Sequence, residues 1–179
     1  MSESHFQVGD GGLPTPAGSG RPAADHAVAQ FLVFTLAGAQ YALPLPVVVR
    51  VVRAVAPTPV PGQPAICLGF LDVHGTIVPL LDVRRRFGHP PRPLHLDDRI
   101  VLATTRGRTV GLAVETVPGL IARRADEIVA AEVVLPGGGY IKGVAKAADG
   151  LILIHDLDAF LSSDEIAALE ACRPGTGEA

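Results

Sequence analysis

The sequence predicts an all-β protein built from two similar units, and three observations favour this fold class. Val, Leu, Ile and Ala dominate a 48% hydrophobic composition that contains no tryptophan, and a core lined with β-branched residues favours strands. Short apolar runs recur between turns, a pattern typical of barrels and sandwiches. The segment 38–48 also aligns without a gap on 107–117, which indicates that a β-hairpin is repeated.

The folded part is expected to begin after a tail, residues 1–27, that is rich in glycine and proline. Such a tail can bury almost nothing and is predicted to be disordered. The folded domain is expected to span 28–172, and 173–179 is expected to be a flexible C-terminus. The predicted strands are 31–36, 41–45, 47–52, 76–81, 100–104, 110–114, 119–122, 140–145 and 151–154.

The repeat places a turn glycine on a turn glycine, Gly38 on Gly107. It also places apolar residues on apolar residues: Tyr41, Leu43, Leu45 and Val48 on Val110, Leu112, Val114 and Val117. A looser parallel relates 75–83 to 150–157. Two similar β units packed together would explain both matches, and chance similarity between apolar strands is the alternative, because few residue types carry the match.

Helix is expected at two places only. Asp82 can cap a single turn that runs to residue 86 and stops at Gly88. Ser162 and Glu165 have the spacing of a capping box, which predicts a C-terminal helix.

The composition argues against a membrane or nucleic-acid partner. The net charge of −3 gives no general attraction to nucleic acid or to anionic lipid. The uncharged stretch 27–49 is long enough to suggest a membrane span, but Pro44 and Pro46 would break a helix there, so two buried strands are favoured. The first ten residues contain no apolar run, so a secretory signal is not expected. We therefore expect a soluble, cytoplasmic protein without direct membrane insertion.

Residues that would form a catalytic centre are scarce. Serine occurs only at positions 2, 4, 19, 162 and 163, and asparagine is absent, which excludes the usual serine hydrolases. Cys67 lies in an apolar setting that indicates a buried strand, so a structural thiol is favoured over a nucleophile. The six histidines lack the spacings of metal ligands. We expect no catalytic residue, cofactor or metal.

The run Arg84-Arg85-Arg86 is the one dense basic segment. Small β-barrels do bind RNA, but single-strand binding needs aromatic side chains beside the positive groove, and only Phe87 is close in sequence. A solvated helix face or a protein-contact patch is therefore favoured.

A segment in the middle of the chain carries a family resemblance. Gly69-Phe-Leu-Asp-Val-His-Gly75, followed by Thr76-Ile-Val-Pro-Leu-Leu-Asp82-Val-Arg84, resembles the signature of the CheW family of chemotaxis adaptors. Similarity runs from about Ala29 to Cys172. Further matching pieces follow the family's order at 31–36, 41–45, 110–115 with 117, 140–143 and 157–165.

This resemblance implies a specific fold and function. Family proteins fold as two five-stranded, SH3-like β-barrels, have no enzymatic activity, and leave a hydrophobic groove between the barrels. One surface docks the regulatory domain of a CheA-type histidine kinase, and the groove holds the cytoplasmic tip of a methyl-accepting chemoreceptor at membrane-associated arrays. The expected partner-binding residues are Val48, Arg50, Val51, His74, Gly75, Gly111 and Val117. For the three valines, plain core packing is the alternative.

Two departures from the family pattern leave a second function open. His74 stands where the family usually has an arginine, and Arg50 stands where it usually has a glutamate. The alternative is therefore a CheW-like protein of a divergent pathway, such as pilus motility, that docks a different regulator. A third hypothesis, an enzyme that uses Cys67 or a histidine, is the least favoured.

Overall fold

The structure is a computed structural model that describes residues 27–134 and 139–172, and it confirms an all-β chain. In that part of the chain there are eleven strands: β1 (Val28–Leu36), β2 (Ala39–Pro44), β3 (Val48–Arg53), β4 (Cys67–Val73), β5 (Thr76–Asp82), β6 (Arg99–Thr105), β7 (Arg108–Val114), β8 (Thr116–Arg124), β9 (Ile128–Ala130), β10 (Ile141–Ala147) and β11 (Gly150–His155). Its helices are α1 (Val83–Arg86), α2 (Ala131–Val134) and α3 (Ser163–Ala171). The predicted N-terminal tail, apart from Ala27, and the predicted flexible C-terminus lie outside the described residues.

The strands form two sheets that share one plan. Their orders are β8-β1-β2-β11-β10-β9 and β3-β6-β7-β5-β4. In each sheet one hairpin, β1–β2 or β6–β7, is joined through a parallel pair to a second hairpin, β10–β11 or β4–β5. The expected five strands per unit are present in the second sheet, whereas the first gains a sixth, the short strand β9.

The second sheet is built from one continuous segment, β3 to β7, which is inserted between β2 and β8 of the first sheet. β3 follows β2 through a 3-10 turn at Leu45–Val47 and pairs with β6 of the second sheet. After β7 the chain returns, and β8 pairs with β1 of the first sheet. Each sheet therefore combines the first hairpin of one copy of the repeat with later strands of the other copy, so the two copies are interlocked.

Side-chain contacts show that each sheet curls toward closure. In the second sheet, Arg50 on β3 contacts His74 in the β4–β5 turn, at the opposite end of the strand order. In the first, the Arg123 guanidinium on β8 donates to the Lys146 carbonyl of β10 at 3.2 Å. The strand orders themselves are open, so these sheets are barrel-like without a continuous closing ladder among the described strands.

Three hairpin turns share one backbone conformation. Ala37-Gly38, His74-Gly75 and Arg106-Gly107 all have positive φ at both residues, between 48° and 83°. Two consecutive positive φ values are the signature of a type I′ turn, whose twist matches that of the flanking strands. The alignment of Gly38 with Gly107 therefore marks a real structural repeat.

The buried side chains form a shared core and two smaller unit cores. The largest cluster combines residues of both sheets, including Phe34, Leu43, Val101 and Leu112. One smaller cluster contains buried residues of the first sheet only, and the other contains those of the second. Burial of the shared cluster holds the two units together, because separating them would expose its apolar surface to water.

Both predicted helix starts are present. The Asp82 carboxylate accepts from the Arg85 amide at 3.4 Å, and the Ser162 hydroxyl accepts from the Glu165 amide at 3.2 Å. Glu165 completes the capping box by accepting from the Ser162 amide at 2.8 Å. No helix among the described residues is long and apolar enough to cross a membrane, and 27–49 instead forms β1, β2 and the start of β3.

Candidate partner-binding surfaces

The end strand β3 carries three of the predicted contact residues. Its register on β6 shifts between Val48 and Arg50, so Val49 is an extra residue in a β-bulge and is 59% exposed. Val48 and Val51 are half-buried against the shared core, while Arg50 is exposed. The bulge thus separates an apolar row from a charged side chain within one short strand.

Arg50 meets His74, and this contact forms the centre of the surface. Arg50 Nη1 lies 3.2 Å from His74 Nε2. A guanidinium can only donate, so this hydrogen bond requires an unprotonated Nε2 and a neutral ring that carries its proton on Nδ1. His74 adopts φ 52° in the turn, which the Asp72 carboxylate fixes by accepting from the Gly75 amide at 2.6 Å.

The two predicted glycines occupy different environments. Gly75 is exposed at φ 83°, with open space where a Cβ would stand, so its role is to permit the turn. Gly111 is buried in β7, where a Cβ would lie 3.2 Å from both Ile100 and Leu80. Close packing accounts for Gly111, which is therefore not part of the exposed surface in this structure.

Val117 lies on the other sheet at the position equivalent to Val48. Each is the first or second residue of a strand, β8 or β3, at which the chain crosses to the other sheet, and each is half-buried against the shared core. Further along β8, Leu120 is 53% exposed. The structure therefore brings Arg50, His74 and Gly75 into one surface, next to Val48 and Val51, and places Val117 on β8 of the first sheet.

A groove other than the one expected between the two units lies where the second sheet meets the C-terminal segment. It has a volume of about 460 Å³ between the β4–β5 hairpin, the β6–β7 turn and α3. Apolar side chains line much of it, including Phe70, Ile77, Val110, Ile166 and Leu169. These residues come from segments far apart in the chain, so no local motif could have revealed the groove.

Hydrogen bonds and one ion pair connect the walls of the groove. The Asp158 carboxylate accepts from the Thr105 hydroxyl at 2.8 Å and from the Arg106 amide at 3.1 Å. These hydrogen bonds, from Thr105 first, hold the pKa of Asp158 below its ordinary value. Arg108 in β7 forms an ion pair with Glu170 in α3. These contacts link the β6–β7 turn and β7 to the C-terminal segment.

Two of the three arginines in the basic run 84–86 are half-buried in ion pairs within the protein, contrary to the expectation of a solvated or partner-contact face. Arg84 forms an ion pair with Glu115, which also accepts from the Ala37 amide at 3.0 Å. Arg86 forms an ion pair with Glu165, 2.5 Å apart, and lies over an aromatic ring. Of the three arginines only Arg85 is exposed, because the capped turn α1 directs its neighbours toward carboxylates of other elements.

An aromatic cluster surrounds a buried histidine. His155 is 2% exposed, and burial lowers its pKa from 6.5 to about 3. Its ring contacts Phe87 at a centroid distance of 4.2 Å, and the rings of Phe34, Tyr41, Tyr140 and Phe160 lie within 6.3 Å. Its Nε2 atom has no hydrogen-bond partner among the described residues. Such an environment suits packing and not proton transfer.

The remaining candidates for chemistry are also structural in character. The buried Cys67 thiol donates to the Gly69 carbonyl at 3.3 Å, and burial raises its pKa, which keeps the thiol protonated and unreactive. Within 27–134 and 139–172, no three His, Cys, Asp or Glu side chains are grouped as metal ligands would be.

Comparison with known proteins agrees with this geometry. The profile of the CheW-like domain matches residues 30–165. The chain is 28% identical to the chemotaxis protein CheW of Bacillus subtilis over 142 residues, which cover 75% of this chain and 88% of that protein. It is 24% identical to CheW of Klebsiella aerogenes over 143 residues, which cover 79% of this chain and 86% of that protein.

A solved structure extends the comparison to the fold. The crystal structure of the scaffolding protein TtCheW from Thermoanaerobacter tengcongensis superposes with a TM-score of 0.70 at 29% identity. The match covers 76% of this chain and 94% of that protein. The likeness therefore extends over nearly all of a protein described as a scaffold.

Proposed function

This chain belongs to the CheW-like domain family, and we propose that it is a non-enzymatic adaptor that couples a methyl-accepting chemoreceptor to a CheA-type histidine kinase in chemotaxis. The observation that carries the proposal is the profile match over 30–165, together with the fold shared with a scaffolding protein. In this role the protein works in the cytoplasm and is recruited to membrane-associated receptor arrays. The divergent-pathway alternative is less favoured, because the matched relatives are named as chemotaxis proteins.

The surface features support docking. An adaptor needs exposed apolar residues flanked by a few charges, because burial of the apolar area supplies affinity and the charges set orientation. The β3 surface has this composition, with Val49 and Val51 beside Arg50. The groove by α3 offers a second place, where a volume of about 460 Å³ can take a few apolar side chains of a partner.

The chemistry of the described residues gives an enzyme no comparable support. A nucleophile needs an activating base or a depressed pKa, whereas the Cys67 thiol has a raised pKa. His155, the most deeply buried imidazole, lies among aromatic rings.

The proposal is tested by binding and by kinase activation. The full chain is titrated in a calorimeter with two proteins whose genes lie near its own. One is the regulatory domain of the kinase, and the other is a fragment of the receptor's signalling tip. We expect both to bind, and we expect the chain to raise kinase autophosphorylation when receptor is present. If the chain binds only one of the two partners, or neither of them, the proposal is contradicted.

A matched pair of variants tests whether the kinase or the receptor binds in the groove. Ile77 lines the groove, whereas Leu120 is exposed on the other sheet. Ile77→Glu is expected to weaken one partner about tenfold or more, because it buries a charge against apolar side chains, whereas Leu120→Glu serves as the control. Thermal melting of both variants separates loss of binding from loss of folding.

A further inference from the structure

The segment that connects α1 to β6 is rich in proline, and its covalent geometry restricts its shape. It begins His89-Pro-Pro-Arg-Pro93. A proline ring fixes its own φ at about −65°, and the residue before a proline is kept in the extended region. Every residue from 89 to 93 is a proline or precedes one. This pattern favours the polyproline II conformation over 89–93.

Burial along the segment follows the period of a polyproline helix. His89 and Arg92 are half-buried, whereas Pro90, Pro91 and Pro93 are exposed. Because a polyproline helix has three residues per turn, His89 and Arg92 share one face, and Pro90 and Pro93 share another at a separation of about 9 Å. Shortly after them Leu96 is 86% exposed. The exposed set, named the proline ridge below, consists of Pro90, Pro91, Pro93 and Leu96.

The inward side chains of the segment anchor the ridge. His89 Nε2 lies 2.7 Å from the Tyr41 hydroxyl oxygen, and the Arg92 guanidinium donates to the buried Asp98 carboxylate at 2.8 Å. Leu94 packs against the smaller core cluster of the second sheet. The ridge therefore loses little conformational entropy on binding, because its shape is set before a partner arrives.

The ridge has the features that a groove with aromatic walls recognises. Proline rings pack on flat aromatic side chains, and tyrosine or tryptophan in such a groove can donate hydrogen bonds to the backbone of the proline segment. Among the described residues, no group donates to the carbonyl of Pro91 or of Arg92. Both carbonyls are therefore open to donors from a partner.

The ridge is continuous with the surface of β3. The Ala54 amide, directly after β3, donates to the Asp98 carbonyl at 3.0 Å and joins the end of this strand to the end of the proline segment. Val55, the next residue, is 54% exposed. A partner that covers the ridge can therefore extend its contact onto the apolar residues of β3.

We infer that the proline ridge inserts into a groove with aromatic walls on the regulatory domain of the kinase. The inference rests on the proposed adaptor function and adds the chemistry by which one of the two partners is recognised. A globular domain can form such a concave groove, whereas a helical receptor tip presents the ridges of its helix surfaces. Burial of proline and leucine surface supplies the affinity, and the stiff segment fixes the orientation.

The test compares two double substitutions of exposed prolines. The full chain and its variants are titrated in a calorimeter with the regulatory domain and, separately, with the receptor fragment. Pro90→Ala with Pro93→Ala is expected to weaken binding of the regulatory domain about tenfold, because it removes two ring contacts and loosens the segment. The control is Pro59→Ala with Pro61→Ala, also exposed prolines of a connecting segment, and it should change this affinity by less than about twofold. Neither double variant should change the affinity for the receptor fragment.

Two further measurements separate recognition from folding. Leu96→Ser removes an apolar side chain that is 86% exposed, so it should leave the thermal melting temperature unchanged and weaken binding of the regulatory domain about threefold. In an isotopically labelled regulatory domain, aromatic NMR signals should shift when the unmodified chain is added. The same signals should shift less when the Pro90→Ala, Pro93→Ala variant is added at the same concentration.

The outcomes distinguish this inference from the adaptor function itself. If the unmodified chain does not bind the regulatory domain, the adaptor function and the inference both fail. If it binds, but the two double variants bind the regulatory domain equally well, the adaptor function stands and the inference is overturned. Equal losses of affinity for the regulatory domain and the receptor fragment, or aromatic signals that do not move, would also overturn it.

Discussion

Acid should destabilise this protein in part through His155, a buried histidine. The folded state holds the His155 pKa at about 3 instead of 6.5, because burial disfavours the imidazolium. The unfolded chain takes up this proton as the pH falls through 6.5, and the folded chain does not. The free energy of unfolding is therefore not reduced by His155 above about pH 6.5, and it falls progressively as the pH decreases toward 3.

The size of the effect follows from the two pKa values. Linkage gives a loss of about 1 kcal/mol at pH 5.5 and about 3 kcal/mol at pH 4.5, relative to pH 7 or above. Tyr41 and Tyr140 face the same ring, but phenols are neutral in this range. His89 bonds the Tyr41 hydroxyl at 2.7 Å and is half-buried, so its charge is the neighbouring one to control for.

Urea denaturation of the full chain and of His155→Leu at pH 7, 5.5 and 4.5 measures this effect. Leucine fills a similar volume and removes a buried nitrogen that has no hydrogen-bond partner among the described residues, so stability at pH 7 should be nearly unchanged. The difference in free energy of unfolding between the two proteins should change by about 3 kcal/mol between pH 7 and pH 4.5. His89→Leu, the control, should retain most of the acid sensitivity. Parallel stability curves for the unmodified chain and His155→Leu would refute the reasoning.

Two other substitutions test the close packing around Gly111 and the ion pair between Arg84 and Glu115. Gly111→Ala should lower the free energy of unfolding in urea by about 1–3 kcal/mol, because its Cβ would press on Ile100 and Leu80. An unchanged denaturation midpoint would contradict this, since it would mean that the neighbouring side chains move apart at no cost. Glu115→Gln should lower the free energy of unfolding by about 2 kcal/mol, because it leaves Arg84, whose side chain is 12% exposed, without its carboxylate. This loss is smaller than for a fully buried ion pair, because this pair is partly exposed. A loss below about 0.5 kcal/mol would contradict a structural role for this pair.

The fold could be predicted from the sequence where local rules decide it. The capping pattern located α1 and α3, and the repeated turn glycines located equivalent hairpins. Only the start of β4 was predicted, from the apolar setting of Cys67, because Gly69 and Asp72 interrupt the apolar run beyond it. β9 and α2 are too short, at three and four residues, to produce a periodic pattern.

The crossing of the chain to the other sheet after β2 and after β7 could not be predicted from either copy of the repeat alone. An apolar run such as that of β3 is equally compatible with pairing to its own hairpin or to that of the other unit. What decides is the packing of both sheets on the shared core, a tertiary effect that leaves no signature in one strand.

The contact between Arg50 and His74 shows why individual site residues are easier to predict than their arrangement. Each was identified singly, as a departure from a family pattern, and their separation of 24 residues carries no geometric information. They meet because the second sheet curls until its first and last strands approach, which depends on the twist summed over five strands. A charge change at either position should therefore alter partner binding through the other, which single-residue reasoning would treat as two independent effects.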